Sequence, residues 1–166
     1  MREIDNADEN TDLLHAFNSI RTFAALPDDD ARTLIKSSKF RVYEPGEILI
    51  NEGEYDCWVY FLLSGQLEIV KAGKSIGRLQ RNGDMFGEMG VIDGSPRSAS
   101  IRSVTKSLVL GFDASFLDQK QKMSELSFCY IIYRLFAEVL AVRLRDTTEE
   151  NSRLREAVSR LGYKVK

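Results

Sequence analysis

The segment GDMFGEMGVIDGSPRSASIRS, residues 83–103, interrupts an otherwise β-type sequence. It brings together several glycines, a carboxylate, an arginine and small hydroxyl residues. Within it, Arg97 follows a proline and precedes Ser98, Ala99 and Ser100, which are too small to shield a guanidinium. A guanidinium presents five N–H donors in a planar fork that matches two oxygens of a phosphate. We therefore interpret Arg97 as the charged contact of a bound phosphate, and we expect that no protein group pairs with it.

A glycine-rich turn, Phe86-Gly87-Glu88-Met89-Gly90, precedes this arginine. Glycine allows a backbone to approach a ligand closely, and the start of a short helix directs free N–H groups at an anion. We expect Gly87 and Met89 to donate main-chain hydrogen bonds. Because the Glu88 carboxylate would repel a phosphate, it suits a sugar hydroxyl instead. The segment thus predicts recognition of a cyclic mononucleotide rather than catalysis.

These residues resemble the phosphate-binding cassette of the cyclic nucleotide-binding domain family, with the pattern F-G-E-(L/M)-(A/G)-x(n)-P-R-(S/T/A)-A-(S/T). The resemblance implies that Gly87, Glu88 and Met89 supply sugar and backbone contacts, that Arg97 holds the equatorial phosphate, and that Ser98 adds a hydroxyl. The implied ligand-binding set in this segment is Phe86, Gly87, Glu88, Met89, Arg97, Ser98 and Ala99. The resemblance extends from about residue 23 to residue 161.

Two other interpretations of these motifs remain open. Phe-Gly-Glu alone is common, and Arg97 would then be an ordinary strand-end arginine paired with Glu88. A family member that has lost ligand binding is the second alternative. The turns Glu44–Glu47, Asn51–Gly53 and Leu63–Leu67 are also similar to strand-and-turn signposts of the family.

Hydrophobic spacing divides the chain into three regions. Residues 1–38 are expected to form an N-terminal helical segment, with a break at Leu26-Pro27-Asp28. Residues 39–122 are expected to form an antiparallel β-roll or jelly roll that contains the cassette, residues 83–103. The predicted strands are Phe40–Tyr43, Ile48–Ile50, Trp58–Leu62, Leu67–Val70, Ile101–Val104 and Leu108–Leu110, and Met85–Ile92 is predicted to be a short helix. Residues 123–161 are expected to be helical, so the fold class is mainly β with flanking helices.

The last helix carries a coiled-coil pattern. Its apolar and small polar residues recur at alternating steps of four and three: Leu140, Leu144, Thr147, Asn151, Leu154, Val158 and Leu161. Asn151 and Val158 fall at a positions and Leu154 and Leu161 at d positions, a combination that favours a parallel dimer. Glu150 and Arg155 would pair between the two helices. The alternative is that this seam packs on the roll of its own chain.

The same helix bears on the identity of the base. Residues 143–150 resemble the long central helix of bacterial catabolite-activator-type receptors, where two adjacent hydroxyl residues contact the adenine of cAMP. Thr147 and Thr148 lie at the matching place, so the resemblance implies cAMP as the ligand. Ser98 is compatible with either base, and cGMP therefore remains an alternative.

Composition excludes several other classes of protein and of functional site. The 166 residues, 43% of them hydrophobic, indicate one globular domain, and a net charge of −2 offers no argument for broad nucleic-acid binding.

Cys57 and Cys129 fit no metal or disulfide motif and are predicted to be core thiols in a reducing compartment. His15, the only histidine, is predicted to be a partly exposed helix residue, so no histidine-based triad or multi-histidine metal site is expected. No apolar run suits a bilayer, which favours a cytoplasmic protein.

These observations together predict a cAMP-binding receptor module without a catalytic residue, a metal or a further cofactor. Ligand binding would be relayed through the terminal helix and a homodimer interface to a downstream protein that the sequence does not reveal. Five residues follow Leu161, too few for a helix-turn-helix, so direct DNA binding of that kind is not expected. The alternatives are a ligand-free dimerisation scaffold and a cGMP-binding module.

Overall fold

The computed structural model describes residues 1–4, 11–20, 23, 34–35, 38–115 and 123–160, with the backbone alone described at 11–14, 123–129 and 131. It divides into two compact units, Met1–Lys122 and Met123–Lys166. The predicted break at Leu26-Pro27-Asp28 and the seam residue Leu161 lie outside the described residues.

The described part of the chain contains nine short strands and three helices. The strands are β1 (Arg2–Ile4), β2 (Ser38–Tyr43), β3 (Ile48–Ile50), β4 (Trp58–Ser64), β5 (Leu67–Lys71), β6 (Lys74–Leu79), β7 (Met85–Phe86), β8 (Ser100–Ser103) and β9 (Ser107–Asp113). The helices are α1 (Thr11–Asn18), α2 (Glu88–Asp93) and α3 (Met123–Arg160).

The strands form two sheets in which every pair is antiparallel. The five-stranded sheet has the order β1-β2-β9-β4-β7, and the four-stranded sheet has the order β3-β8-β5-β6. Their side chains meet in one interior cluster. It consists of Tyr43, Ile50, Tyr60, Leu62, Leu67, Leu79, Phe86, Ile101 and Val109. The predicted antiparallel β-roll with flanking helices is therefore confirmed.

Strand β4 is buried on both of its faces. Its sequence, WVYFLLS, has five consecutive buried residues, whereas a strand with one face in water would alternate. Tyr60 and Leu62 belong to the interior cluster. On the opposite face, the ring of Phe61 lies 6.1 Å from that of Phe112 and 4.7 Å from that of Phe23. Phe23 in turn stacks on Phe17 of α1 at 4.5 Å, so the N-terminal helix covers this face.

Four sequence-based expectations are wrong. Arg2–Ile4 is a strand within the segment expected to be helical, because it finds an edge to pair with in β2. Met85–Phe86 is a strand paired with β4, and the predicted helix begins only at Glu88. Strand β6 was missed because its lysine, serine and glycine have low β-propensity. Cys57 is exposed in the loop before β4 rather than in the core, whereas His15 is exposed on α1 as predicted.

Helix α3 forms the described part of the second unit. Leu144 and Leu154 of the seam are 69% and 56% exposed, and Thr147 and Asn151 are exposed as well. Ion pairs between residues four apart, such as Arg153 with Glu149, support its polar faces. None of the described helices is both long and apolar enough to cross a lipid bilayer.

Gly65, in the turn between β4 and β5, offers a test of how the two sheets are joined. Its φ is +97°, and an added Cβ would lie 2.6 Å from the Lys106 carbonyl oxygen and closer still to Ser107 Oγ. Gly46 also has a positive φ, of +87°, but open space around it. We expect Gly46→Ala to lower the free energy of unfolding by about 1 kcal/mol through backbone strain alone. Gly65→Ala should lower it by about 2–4 kcal/mol, because steric overlap is added.

Urea unfolding of the two variants measures this difference. Equal losses would contradict the close packing of the β4–β5 turn on residues 106 and 107.

Candidate functional site

The Arg97 guanidinium is buried, with 4% of the residue exposed. Its Nε donates to Asp56 Oδ2 at 3.1 Å, and Nη2 forms an ion pair with Asp56 Oδ1. Nη2 also donates to the Trp58 carbonyl oxygen at 2.5 Å, and Nη1 donates to the Gly87 carbonyl oxygen at 2.5 Å. These bonds account for four of the five N–H groups in the fork.

The expectation that no protein group pairs with Arg97 is therefore wrong. A guanidinium in the protein interior is costly unless it has charged and hydrogen-bonded partners, and Asp56 with two carbonyls supplies them. The Asp56 side chain is 34% exposed, so its carboxylate reaches from the surface to the buried cation. Sequence reasoning missed Asp56 because it lies 41 residues from Arg97, and no local pattern links the two.

The loop between β3 and β4 orients this carboxylate. Asp56 Oδ1 accepts a hydrogen bond from the Trp58 main-chain N–H at 2.8 Å, a local turn typical of aspartate. The same loop holds the main chain of Arg97. Gly53 N–H donates to the Arg97 carbonyl, and Arg97 N–H donates to the Glu54 carbonyl, both at 2.8 Å. The arginine is thus fixed at both its backbone and its side chain.

Gly87 is required by this arrangement. It caps α2 with a φ of +85°, a conformation that favours glycine. A Cβ at this position would lie 2.6 Å from Arg97 Nη1 and 2.9 Å from the Trp58 carbonyl oxygen. The group that approaches this glycine closely is the Arg97 guanidinium, rather than a ligand as expected from the sequence.

The other residues of the segment divide between the interior and the surface. Glu88, in the first turn of α2, is 1% exposed, and Phe86 is 3% exposed. Met89 is 50% exposed, Ser98 is exposed and Ala99 is half-buried. Phe86, Glu88 and Arg97 are therefore the buried part of the predicted site, Gly87 and Ala99 are half-buried, and Met89 and Ser98 form its outer edge.

Aromatic rings form a wall beside these buried residues. The Phe86 ring stacks on Tyr60, with centroids 5.3 Å apart, and Tyr60 stacks on Trp58 at 6.3 Å. Burial raises the pKa of Tyr60 to about 12, although the nearby Arg41 guanidinium acts in the opposite direction. Arg41 lies over the Trp58 ring, with its Cζ 4.5 Å from the ring centroid. These rings thus provide an apolar surface that also carries the Arg41 guanidinium and the neutral phenol of Tyr60.

Thr147 and Thr148, the residues predicted to contact the base, are exposed on α3 in the second unit. The Thr148 hydroxyl donates to the Leu144 carbonyl oxygen at 2.7 Å. No cluster of histidine, cysteine and carboxylate side chains suited to a metal ion occurs among residues whose placement the structure describes.

Comparison with known proteins yields a match between residues 40–122 and the family model of the cyclic nucleotide-binding domain. A cGMP-dependent protein kinase of Plasmodium berghei is 38% identical over 86 residues, which are 52% of this chain and 10% of the kinase. A cAMP-dependent protein kinase regulatory subunit of Schizosaccharomyces pombe is 33% identical over 72 residues, which are 43% of this chain and 18% of the subunit. The match thus spans less than a fifth of either relative.

A solved structure supports the fold at lower sequence identity. The crystal structure of a cyclic nucleotide-binding domain from Methylobacillus flagellatus superposes with a TM-score of 0.69 at 22% identity. The superposition covers 82% of this chain and 79% of that chain.

Replacing Asp56 by asparagine tests the pair at the centre of the site. The change keeps the size of the side chain but leaves the buried guanidinium without its counter-charge. We expect Asp56→Asn to lower the free energy of unfolding by about 1–3 kcal/mol. Glu54→Gln is the control in the same loop, because the Glu54 carboxylate accepts from the exposed Asn51 amide at 3.0 Å, and its loss should cost less than about 0.5 kcal/mol.

Urea unfolding at neutral pH distinguishes the two variants. If they lose the same stability, Asp56 is not the structural partner of Arg97.

Proposed function

The chain belongs to the cyclic nucleotide-binding domain family, and we propose that it acts as a cAMP receptor module that signals through its C-terminal helix. The observation that carries this proposal is the buried Arg97 fork beside Gly87 and Glu88. A cation, a main-chain turn and a buried carboxylate are the three contacts that a ribose cyclic phosphate needs.

The phosphate would bind at Arg97 by taking the remaining N–H of the fork and exchanging with a carbonyl partner. In this proposal Asp56 stays in place, because its bidentate contact through Nε and Nη2 keeps the guanidinium plane oriented. Glu88 would accept a hydrogen bond from the ribose hydroxyl. Its burial in the first turn of α2 supports this role, since a helix N-terminus stabilises a carboxylate.

The choice of base rests on α3. We propose that Thr147 and Thr148 contact adenine, as the resemblance to catabolite-activator-type receptors implies, and the exposure of both side chains supports this contact. A cGMP-binding module is the second candidate, favoured by the similarity to the Plasmodium berghei cGMP-dependent protein kinase. Both candidates use the same phosphate and ribose contacts.

The relay is proposed to run through a homodimer. The exposed Leu144 and Leu154 would form the seam of a parallel coiled coil, with Asn151 setting the two-stranded state. The ligand needs only to bind one arrangement of this helix more tightly than another, because differential affinity is what shifts an equilibrium. The module itself would be a receptor rather than an enzyme, located in the cytoplasm, with an unknown downstream protein and no direct contact with DNA.

Calorimetric titration with cAMP, cGMP and cyclic di-GMP tests the ligand. We expect saturable binding of one cyclic mononucleotide per chain, with cAMP bound most tightly. Arg97→Lys keeps the positive charge but removes the fork, and it should weaken binding by about tenfold or more, as expected for loss of a charged hydrogen bond. Arg102→Ala is the control, because Arg102 lies in the next strand with its side chain 50% exposed.

The outcomes separate the candidate functions. Stronger binding of cGMP would favour the second candidate. Absence of binding to all three nucleotides, with no shift in melting temperature, would leave a ligand-free dimerisation scaffold. Equal affinities of the Arg97→Lys variant and the unmodified chain would refute the phosphate assignment.

Sedimentation velocity tests the dimer. An asparagine at a single a position specifies two strands at a cost in stability, so Asn151→Leu should yield a mixture of dimers and larger assemblies. Ser152→Leu introduces the same side chain one residue away from the seam and should leave the dimer unchanged. A monomeric unmodified chain would contradict the proposed interface.

A further inference from the structure

The tight turn between β5 and β6 is attached to the segment that carries Arg97. Lys71 Nζ donates to the Ser98 carbonyl oxygen at 3.0 Å. The next residue, Ala72, donates its main-chain N–H to Glu52 Oε2 at 2.9 Å. Both contacts are long-range in sequence, and the first of them holds Ser98, a residue of the predicted site.

Glu52 binds this segment from a second direction. Its own main-chain N–H donates to Ser100 Oγ at 2.9 Å. Its neighbour Gly53 donates to the Arg97 carbonyl at 2.8 Å. Residues 97–100 are therefore held on one side by the β3–β4 loop and at Ser98 by the β5–β6 turn, with the Glu52 carboxylate joining the loop to the turn.

From these contacts we propose that Lys71 and Glu52 are positioning residues that act as one clamp on residues 97–100 and thereby raise nucleotide affinity. The inference rests on the proposed function of the site and adds two residues outside the cassette, residues 83–103. Neither residue needs to touch the ligand.

The conformation of Ala72 supports a role for Glu52. Its φ is +48°, a left-handed conformation that costs a residue with a Cβ about 1 kcal/mol or more. The hydrogen bond from Ala72 N–H to the Glu52 carboxylate offsets this strain and holds the turn in place. Because Lys71 directly precedes Ala72, the conformation of the turn affects the position of the Lys71 ammonium.

The effect on the ligand follows from the geometry of a peptide unit. A trans peptide is planar, with its C=O and N–H pointing in opposite directions. When Lys71 holds the Ser98 carbonyl, it also fixes the direction of the Ala99 N–H, which belongs to the same peptide. The ammonium additionally places a positive charge beside the segment that meets an anion, within the screening length of physiological salt.

Single substitutions at the turn test the role of Lys71. Lys71→Gln should weaken binding of cAMP or cGMP about three- to tenfold, the range expected for one lost hydrogen bond to a charged donor at an exposed position. Lys71→Arg retains the charge and the donor, and it should restore affinity to within about twofold of the unmodified chain. Lys74→Gln is the matched control, because Lys74 is the residue paired with Lys71 across the same turn.

A double-mutant cycle tests whether the two residues act together. Glu52→Ala should also weaken binding, and the double variant Lys71→Gln/Glu52→Ala should lose less affinity than the product of the two single losses. Calorimetry gives the dissociation constants, and melting temperatures without nucleotide show whether each variant is folded.

The possible results support or overturn the inference separately from the function. If the unmodified chain binds nucleotide but Lys71→Gln and Lys74→Gln have the same affinity, the clamp is refuted and the receptor function stands. Losses that multiply independently would refute a shared clamp. If the unmodified chain binds no nucleotide, the proposed function fails and the inference fails with it.

Discussion

The buried ion pair between Arg97 and Asp56 is the interaction on which the rest of the site depends. A guanidinium that is 4% exposed needs a counter-charge and carbonyl partners, and these come from the β3–β4 loop and from Gly87. That requirement determines the glycine at position 87, because a Cβ there would overlap the fork. It also joins the start of α2 to the start of β4, through the carbonyls of Gly87 and Trp58. The residues proposed to bind the ligand are therefore also part of the packing that holds the roll together.

This arrangement makes the arginine preorganised. Its side chain lies in one orientation because its own Nε and Nη2 contact the Asp56 carboxylate, and its main chain is paired with Gly53 and Glu54. A side chain that is already ordered loses less conformational entropy when a ligand binds. Because the same fork is bonded to protein carbonyls, the proposed phosphate would have to exchange with one of these partners. Affinity then depends on the difference between two sets of hydrogen bonds, which makes neighbouring positioning groups important.

The chain combines the β-roll with a helix on which four seam residues, Leu144, Thr147, Asn151 and Leu154, are exposed. Leu144 and Leu154 are exposed to solvent in the single chain, as the proposed dimer seam requires. The match of residues 40–122 to the family model shows that the β-roll belongs to the cyclic nucleotide-binding domain family. The similarities to a cGMP-dependent kinase and to a cAMP-dependent regulatory subunit cover the same kind of binding unit in proteins with different outputs. A recognition unit of this kind serves an output that other parts of a protein determine.

The sequence by itself determined the class of fold, the antiparallel strands with alternating or continuous apolar residues, and the segment that carries Arg97, because these depend on local periodicity and on a dense motif. Only the tertiary structure decided that Asp56 pairs with Arg97, that Met85–Phe86 is a strand, and that Lys71 and Glu52 hold Ser98 and its neighbours. The physical reason is that these contacts join residues far apart in the sequence. A hydrogen bond between residues 41 positions apart leaves no periodic trace, and a two-residue strand forms only because β4 offers an edge to pair with.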